Sequence, residues 1–229
     1  MIVIIGGTSG IGFETAKYLD GKAKEVLIGG RNQPKEFGPI YKYIDVTDEE
    51  NVKSFFGDIE KIEGLVYSTG ITTKQKSILE FDQNIWQNIV DVNVTGALLV
   101  LKYAYPKLVK AKGKIVIVNS FACRTYSAFS GVEYTMSKSA LSGMVKQLSI
   151  EFAKDGVVIN SIFPSMTATS MLIENVDKEK LNNIEKSIPL KRIAKPIEVA
   201  QAIEFLLSEN NSYMTGCGLD LNGGQFLNG

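Results

Sequence analysis

Tyr134 and Lys138 stand four positions apart in Tyr134-Thr135-Met136-Ser137-Lys138. On a helix that spacing puts both side chains on one face, one turn apart. An ammonium beside a phenol lowers the phenol's pKa from about 10 toward neutrality. A phenol so tuned can serve as general acid or base. The chain has 229 residues and no histidine. That excludes His-based triads, zinc sites with a His ligand and imidazole acid/base work. Proton chemistry must come from Tyr, Lys, Asp, Glu, Cys or Ser, and the Tyr–Lys pair is a form of it that needs no imidazole. Alone the pair is a common surface motif; its company changes the reading. Ser120 follows an apolar, β-branched run and can bond a substrate oxygen beside Tyr134. Asn93 lies at a join in a long helical pattern, where it can hold a water that links Lys138 to solvent and refills the proton.

A second set of residues suits a phosphate. Gly6-Gly7-Thr8-Ser9-Gly10-Ile11-Gly12 follows a first apolar run and opens a helical pattern. Glycines let the backbone turn sharply and approach a pyrophosphate, and the helix N-terminus supplies free N–H groups and a favourable dipole. Thr8 and Ser9 add hydroxyl donors. No Lys-Ser/Thr follows, so the turn is not the phosphate loop of a nucleoside-triphosphatase. An NAD site usually carries Asp or Glu at the end of the second strand. Here that end reads Gly29-Gly30-Arg31-Asn32. With no carboxylate there, and with the donor fork of Arg31 suited to a 2′-phosphate, NADP(H) is favoured and NAD(H) is the alternative. After the third strand, Asp45 can accept from an adenine amino group, while Thr47 or Asp48 can equally be a helix cap.

The elements that must hold these residues alternate along the whole chain. Strands are predicted at Ile2 to Ile5, Glu25 to Ile28, Tyr41 to Ile44, Gly64 to Ser68, Lys114 to Asn119, Val157 to Phe163 and Gly218 to Leu221. Helices are predicted at Ile11 to Leu19, Glu49 to Phe56, Leu79 to Lys107 in two pieces joined near Asn93, Tyr134 to Lys154 and Glu198 to Leu207. Continuous apolar strands imply a sheet covered on both faces. Strand–helix alternation implies right-handed crossovers. The predicted fold is therefore α/β, a doubly wound parallel sheet in a Rossmann-like three-layer sandwich, as a single domain. The segment 165–190 is the least regular and reads as a substrate lid.

Composition narrows the class. Lys plus Arg and Asp plus Glu both number 25, so formal net charge is zero. With no basic stripe and no zinc-finger spacing, no nucleic-acid partner is expected. No apolar run approaches a membrane span, and the N-terminus lacks the basic region and cleavage site of a signal peptide. Two cysteines suit a reducing compartment and cannot build a disulfide scaffold or a Cys-only metal site. A cytoplasmic protein with no membrane partner and no metal is expected. Cys123 reads as a packed small residue rather than a nucleophile.

Together these motifs resemble the short-chain dehydrogenase/reductases of the classical type, over nearly the whole chain. The glycine turn is similar to the family's Thr-Gly-x-x-x-Gly-x-Gly, with Ile5 for its Thr. Asp45-Val46 resembles its adenine-pocket pair. Asn93, in Asp91-Val92-Asn93-Val94-Thr95-Gly96, resembles its catalytic Asn, and Ser120, Tyr134 and Lys138 the rest of its tetrad. Asn160 to Ser165 resembles a stretch ending in Pro-Gly, here Pro164-Ser165. Thr169-Ser170-Met171 resembles the Thr-x-Met that contacts the nicotinamide carboxamide. The resemblance implies hydride transfer between nicotinamide and a carbonyl or secondary alcohol, with Tyr134 as acid/base, Lys138 on the nicotinamide ribose and Ser120 polarising the carbonyl. It further places Gly6, Thr8, Ser9, Gly10, Ile11, Gly12, Arg31, Asn32, Asp45, Val46, Ser68, Thr69, Gly70, Pro164, Thr167 and Thr169 around the cofactor. It implies a homo-oligomer, a tetramer or dimer.

Departures from the family pattern define three questions. The family's Asn-Asn-Ala-Gly is here Tyr67-Ser68-Thr69-Gly70, so hydrogen bonding at the end of the fourth strand must be rebuilt. Ser120 lies one position farther from Tyr134 than is usual, so the loop between them must bulge. Little chain separates Arg31 from Asp45, so the usual second helix is cut down and the adenine side is open. The substrate side is expected to include Thr72, Ala122, Cys123, Tyr126, Phe129, Ser165, Met166, Met171 and Leu172, mostly apolar with a few hydroxyls. Two other functions compete. A non-catalytic nucleotide-binding regulator fits the eroded strand-four motif, and a sugar-nucleotide epimerase uses the same pair but generally has a larger C-terminal region.

Overall fold

Four apolar β-branched residues, Ile2–Ile5, form β1 and are buried on both faces of a sheet. In the computed structural model, which describes all residues except 23, 35–37, 39, 75, 170, 171, 173–177, 228 and 229, β1 lies inside a seven-stranded parallel sheet. The other strands are β2 (Val26–Gly30), β3 (Ile40–Tyr43), β4 (Gly64–Tyr67), β5 (Lys114–Val118), β6 (Val158–Pro164) and β7 (Gly218–Leu221). The order is β3-β2-β1-β4-β5-β6-β7. The chain winds outward from β1 to β3, then returns to the other flank of β1 with β4, pairing Ile5 with Gly29 on one side and Tyr67 on the other. That reversal opens a crevice at the C-terminal ends of β1 and β4, where ligands of open α/β sheets bind.

Helices cover both faces. Ala16 and Leu19 of α1 (Gly10–Asp20) and Val199, Ile203 and Leu206 of α7 (Pro196–Leu207) pack on Ile4, Ile28, Val66 and Ile162. Against the opposite face, α2 (Glu49–Gly57), α4 (Gly96–Ala111) and α5 (Val132–Phe152) enclose Leu65, Tyr67, Ile117 and Ile159. The three-layer sandwich expected from the sequence is thus the observed one. Between β2 and β3 none of the described residues is helical, in line with the short connection. In 165–190 the described part contains α6 (Lys178–Ser187) and a bridge from Thr167 to Ala194. Ser170 and Met171 lie outside the described residues.

Several boundaries differ from expectation, and those near the site matter most. Helix α5 starts at Val132 rather than at Tyr134, so Tyr134 sits in its first turn, and α5 ends at Phe152. The long helical segment opens with a single tight turn at Ile78–Glu80, and α3 (Gln83–Val90) is capped by Asp82, whose carboxylate accepts from the N–H groups of Asn84 and Ile85. At Asn93 the segment does not break. It widens into a π turn over Asp91–Thr95, where the Gly96 N–H reaches back to the Asp91 carbonyl, and then continues as α4. A single wide turn inside an α-helix rotates the side chains that follow without ending the helix, and such turns concentrate at functional sites.

Candidate active site

The glycine turn comes first because it constrains the rest. Gly6 and Gly10 have φ of +81° and +55°, a region open to glycine and costly for other residues. A Cβ on Gly12 would collide with the Gly6 carbonyl oxygen, and one on Gly6 would lie 2.7 Å from the backbone of Ser68 and Thr69. The turn is therefore folded on itself and pressed against the end of β4. Ser9 stands before α1 without a side-chain bond to it, so the N–H groups of the first turn stay available. Thr169 closes the approach from the far side, its methyl 3.5 Å from where a Gly10 Cβ would stand. These residues fit a dinucleotide's pyrophosphate. Gly30 fits closely against the Thr8 side chain, leaving no space for a longer side chain at the end of β2. Arg31 follows it, exposed, and has no hydrogen bond or ion pair among the described residues. Asn32 is exposed beside it.

Asp45 is tied locally: its Oδ1 accepts from the Thr47 N–H at 3.0 Å and the Thr47 hydroxyl at 2.7 Å. These bonds hold its carboxyl below the usual range, with a smaller contribution from Arg31. Asp48, not Thr47, caps α2, accepting from the Asn51 N–H. Val46 is buried and packs where a Gly96 Cβ would fall.

The four chemistry-bearing residues converge at the C-terminal ends of β4 and β5. Lys138 is buried and its Nζ donates to the Val118 carbonyl at 3.1 Å. A Cβ on Gly70 would stand 3.2 Å from that Nζ and 3.5 Å from Asn93 Oδ1, so Gly70 makes room for both. The Lys138 ammonium lies 5.8 Å from the Tyr134 ring centroid. Ser120, just past β5, caps the turn that follows by accepting from the Ala122 N–H at 3.1 Å, and its hydroxyl is near enough to the Tyr134 phenol to favour the ionised form. The extra residue between Ser120 and Tyr134 is absorbed by a tight turn at Phe121–Cys123 and the loop after it, so Ser120 is in register with the pair.

One expectation is corrected. The Tyr134 phenol is pushed up, not down: burial dominates, the Ser120 bond opposes it, and the Cys123 sulfur adds to it. Burial also pulls the Lys138 ammonium down to about 8. The Asn93 side chain is engaged at both polar atoms. Its Nδ2 donates to the Ile71 carbonyl at 3.0 Å and to Ser137 Oγ at 2.9 Å, while its Oδ1 accepts from the Ile71 N–H at 2.8 Å. Asn93 fastens the loop after β4 to α5.

Other residues that shape the site escape sequence reasoning. Tyr67 rebuilds the altered end of β4 by donating its hydroxyl to the Val92 carbonyl at 2.7 Å, which ties β4 to the π turn. Asn119 bonds the Ser120 N–H and the Ser142 hydroxyl. Thr73 reaches the buried carboxylate of Glu133, next to Tyr134. Arg124 pairs with Asp220 on β7. Only Asn119 and Glu133 carry a sequence signal, as polar neighbours of Ser120 and Tyr134. On the substrate side, Ala122 is buried, Cys123 and Phe129 are half-buried, and Thr72 and Tyr126 are exposed. Pro164 and Thr167 are buried at the end of β6, with Thr167 donating to the Ser165 carbonyl.

A doubly wound sheet with a glycine turn at its crevice, and opposite it a half-buried tyrosine beside a buried lysine, is the arrangement of a dinucleotide-dependent oxidoreductase. Comparison with known proteins agrees. The family model described as Enoyl-(Acyl carrier protein) reductase matches residues 6–225. The chain belongs to this family of short-chain dehydrogenase/reductases, NAD(P)-dependent oxidoreductases. It is 28% identical to the 3-oxoacyl-(acyl-carrier-protein) reductase of Rickettsia conorii over 98% of this chain and 96% of that protein. The ligand-free aldohexose dehydrogenase of Thermoplasma acidophilum superposes with a TM-score of 0.91 at 27% identity, covering 98% of this chain and 93% of that one. ElxO, solved with NADP bound, gives 0.89 at 27% identity over 98% and 97%. Among the described residues no helix is long and apolar enough to cross a membrane.

Proposed function

We propose that the chain interconverts a carbonyl and a secondary alcohol with NADP(H), using Tyr134 as the general acid/base. The observation that carries this reading is the convergence of Ser120, Tyr134 and Lys138 on one wall of the crevice, with Gly70 leaving room for the lysine and Asn93. When bound, the nicotinamide cofactor supplies or accepts the hydride.

The chain's own residues do the rest. Ser120 Oγ has one lone pair occupied by the Ala122 N–H, which aims its proton at the Tyr134 oxygen and, with substrate present, at the carbonyl oxygen. That bond strengthens as the oxygen gains charge. Tyr134 holds its proton at neutral pH because it is buried, the state needed to protonate an alkoxide. Lys138, on the same helical face, holds the ribose, and its ammonium favours the phenolate that forms when Tyr134 gives up its proton. Asn93 keeps the loop after β4 in place beneath them. Arg31, exposed and unpaired among the described residues, takes the 2′-phosphate, and Thr169 the carboxamide side. NAD(H) is the weaker ligand. The homo-oligomer is part of this reading: Leu98 of α4 and Met136 and Ile150 of α5 leave apolar side chains exposed. So is the lid over 165–190.

Relatives of similar fold are named for a 3-oxoacyl-(acyl-carrier-protein) and for an aldohexose, so the test uses a panel of ketones, aldoses and 3-oxoacyl thioesters, followed by NADPH oxidation. Tyr134→Phe is expected to lose about 10²- to 10⁴-fold in kcat while still binding NADPH. Full activity in that variant overturns the mechanism. NADPH binding with no turnover of any substrate supports the regulator reading instead.

A further inference from the structure

We infer that Arg124 is a positioning residue for Ser120, and that through it the C-terminal strand β7 holds the Ser120 hydroxyl in place. The inference rests on the reading of Ser120 given above.

Ser120 is fixed from within its own turn. Its carbonyl accepts from the Cys123 N–H at 3.2 Å and from the Cys123 thiol at 3.0 Å, and its Oγ accepts from the Ala122 N–H. The turn closes where the Arg124 N–H donates to the Phe121 carbonyl at 2.9 Å. The turn is held from outside at Asn119, which accepts from the Ser120 N–H, and at Ser142, which donates to the Cys123 sulfur at 3.5 Å, and it takes one more anchor on the side of β7. Arg124 provides one with two contacts of different kinds. Its Nε donates to Asp220 Oδ1 at 3.0 Å, with the side chains only 26% and 17% exposed. Its guanidinium also lies 3.9 Å from the centroid of the Phe163 ring on β6. A partly desolvated pair of fixed geometry is stronger than a surface pair, and stacking on an aromatic face adds to it.

The opposite strand is shaped to admit this contact. A Cβ on Gly218 would collide with Phe163 and stand 2.9 Å from Arg124 Nη2. Strand β7 is held in turn to two other segments bordering the crevice. The Leu221 carbonyl accepts from the Ser165 N–H, and the Gly223 carbonyl from the Leu190 N–H. Asp220 therefore stands on a strand whose own position is fixed. Arg124 does not enter the catalytic cluster; it acts on the carbonyl-binding hydroxyl from four residues away.

The test uses Arg124→Met, which keeps the apolar stem, and Asp220→Asn, which keeps the shape and removes the charge. Each is made in the natural chain and in a Ser120→Ala background. Expected is a kcat lower by about ten- to a hundredfold, with NADPH affinity by fluorescence titration changed by less than about twofold and KM little altered. In the Ser120→Ala background the same changes should cost almost nothing further, because their effect runs through the absent hydroxyl. A merely structural role predicts equal fractional losses in both backgrounds, and that result overturns the inference. A second measurement needs no turnover. The rate at which a disulfide reagent labels Cys123, in a Cys217→Ser background, should rise severalfold in both variants. Unchanged labelling overturns the inference as well. If the chain binds NADPH but reduces nothing, the proposed function fails, and the labelling result still decides whether Arg124 anchors the turn.

Discussion

At Tyr134 two environments oppose each other: burial favours the neutral phenol and the Ser120 bond favours the phenolate, and burial wins. Reduction needs the phenol protonated and oxidation needs it ionised. The reductive rate should therefore stay level through neutral pH and fall only on the alkaline side, whereas the oxidative rate should climb with pH. A pH profile run in both directions checks this, and a reductive rate that already falls between pH 6 and about 8 would count against Tyr134 as the acid. Lys138 adds a stability signature. Folding lowers its pKa from 10.5 to about 8, so between those values the unfolded chain holds a proton that the folded chain has released. By linkage, Lys138 then makes stability rise with pH across that window. Urea melts at both ends of it, compared between the natural chain and Lys138→Met, should show the rise in the former and its absence in the latter.

Among the elements, the β1–α1 turn is the part most exactingly built. With Gly12 against the Gly6 carbonyl and Gly6 against the end of β4, Gly12→Ala must push the two strands apart or unwind the first turn of α1. The variant should lose about 1–3 kcal/mol of stability by overpacking and bind NADPH at least about tenfold more weakly, since the free N–H groups of the turn no longer converge. Calorimetry and a cofactor titration measure the two losses separately. This turn was legible in the sequence because everything that defines it is local: a strand, a run of glycines and a helix within a few residues. The Tyr134–Lys138 face was legible for the same reason, and so were the strands, whose apolar runs state that both faces are covered. The rest depends on long-range contact. The bond from Tyr67 to Val92 joins elements the pattern treats separately, and Arg124 and Asp220 are 96 positions apart. The join at Asn93 was readable as a place, but not as a π turn, because winding is decided by which carbonyl a buried N–H finds after the helix has packed. The sign of the Tyr134 shift is not legible there, because spacing reveals the neighbouring charge and says nothing of how far the phenol is desolvated.

For the molecule as a whole, the cofactor is a stability ligand that binds only the folded chain. The glycine turn, the end of β2 and the loop after β4 all belong to different strands of one sheet, so occupancy must be read by global unfolding. At 100 times its Kd a ligand adds about 2.7 kcal/mol, which for a chain of this length raises Tm by about 5–10 °C. The two cofactors differ by one phosphate, and in the proposed reading the cation that meets it is Arg31, exposed just past the end of β2. NADPH should therefore shift Tm further than NADH at equal concentration. Arg31→Ala should bring the NADPH shift down to the NADH value and leave the NADH shift and the Tm of the ligand-free protein unchanged, because the side chain is exposed and unpaired among the described residues. Equal shifts by both cofactors in the natural chain would remove the preference for the phosphate. An unequal pair that survives Arg31→Ala would keep the preference and move its origin to another cation.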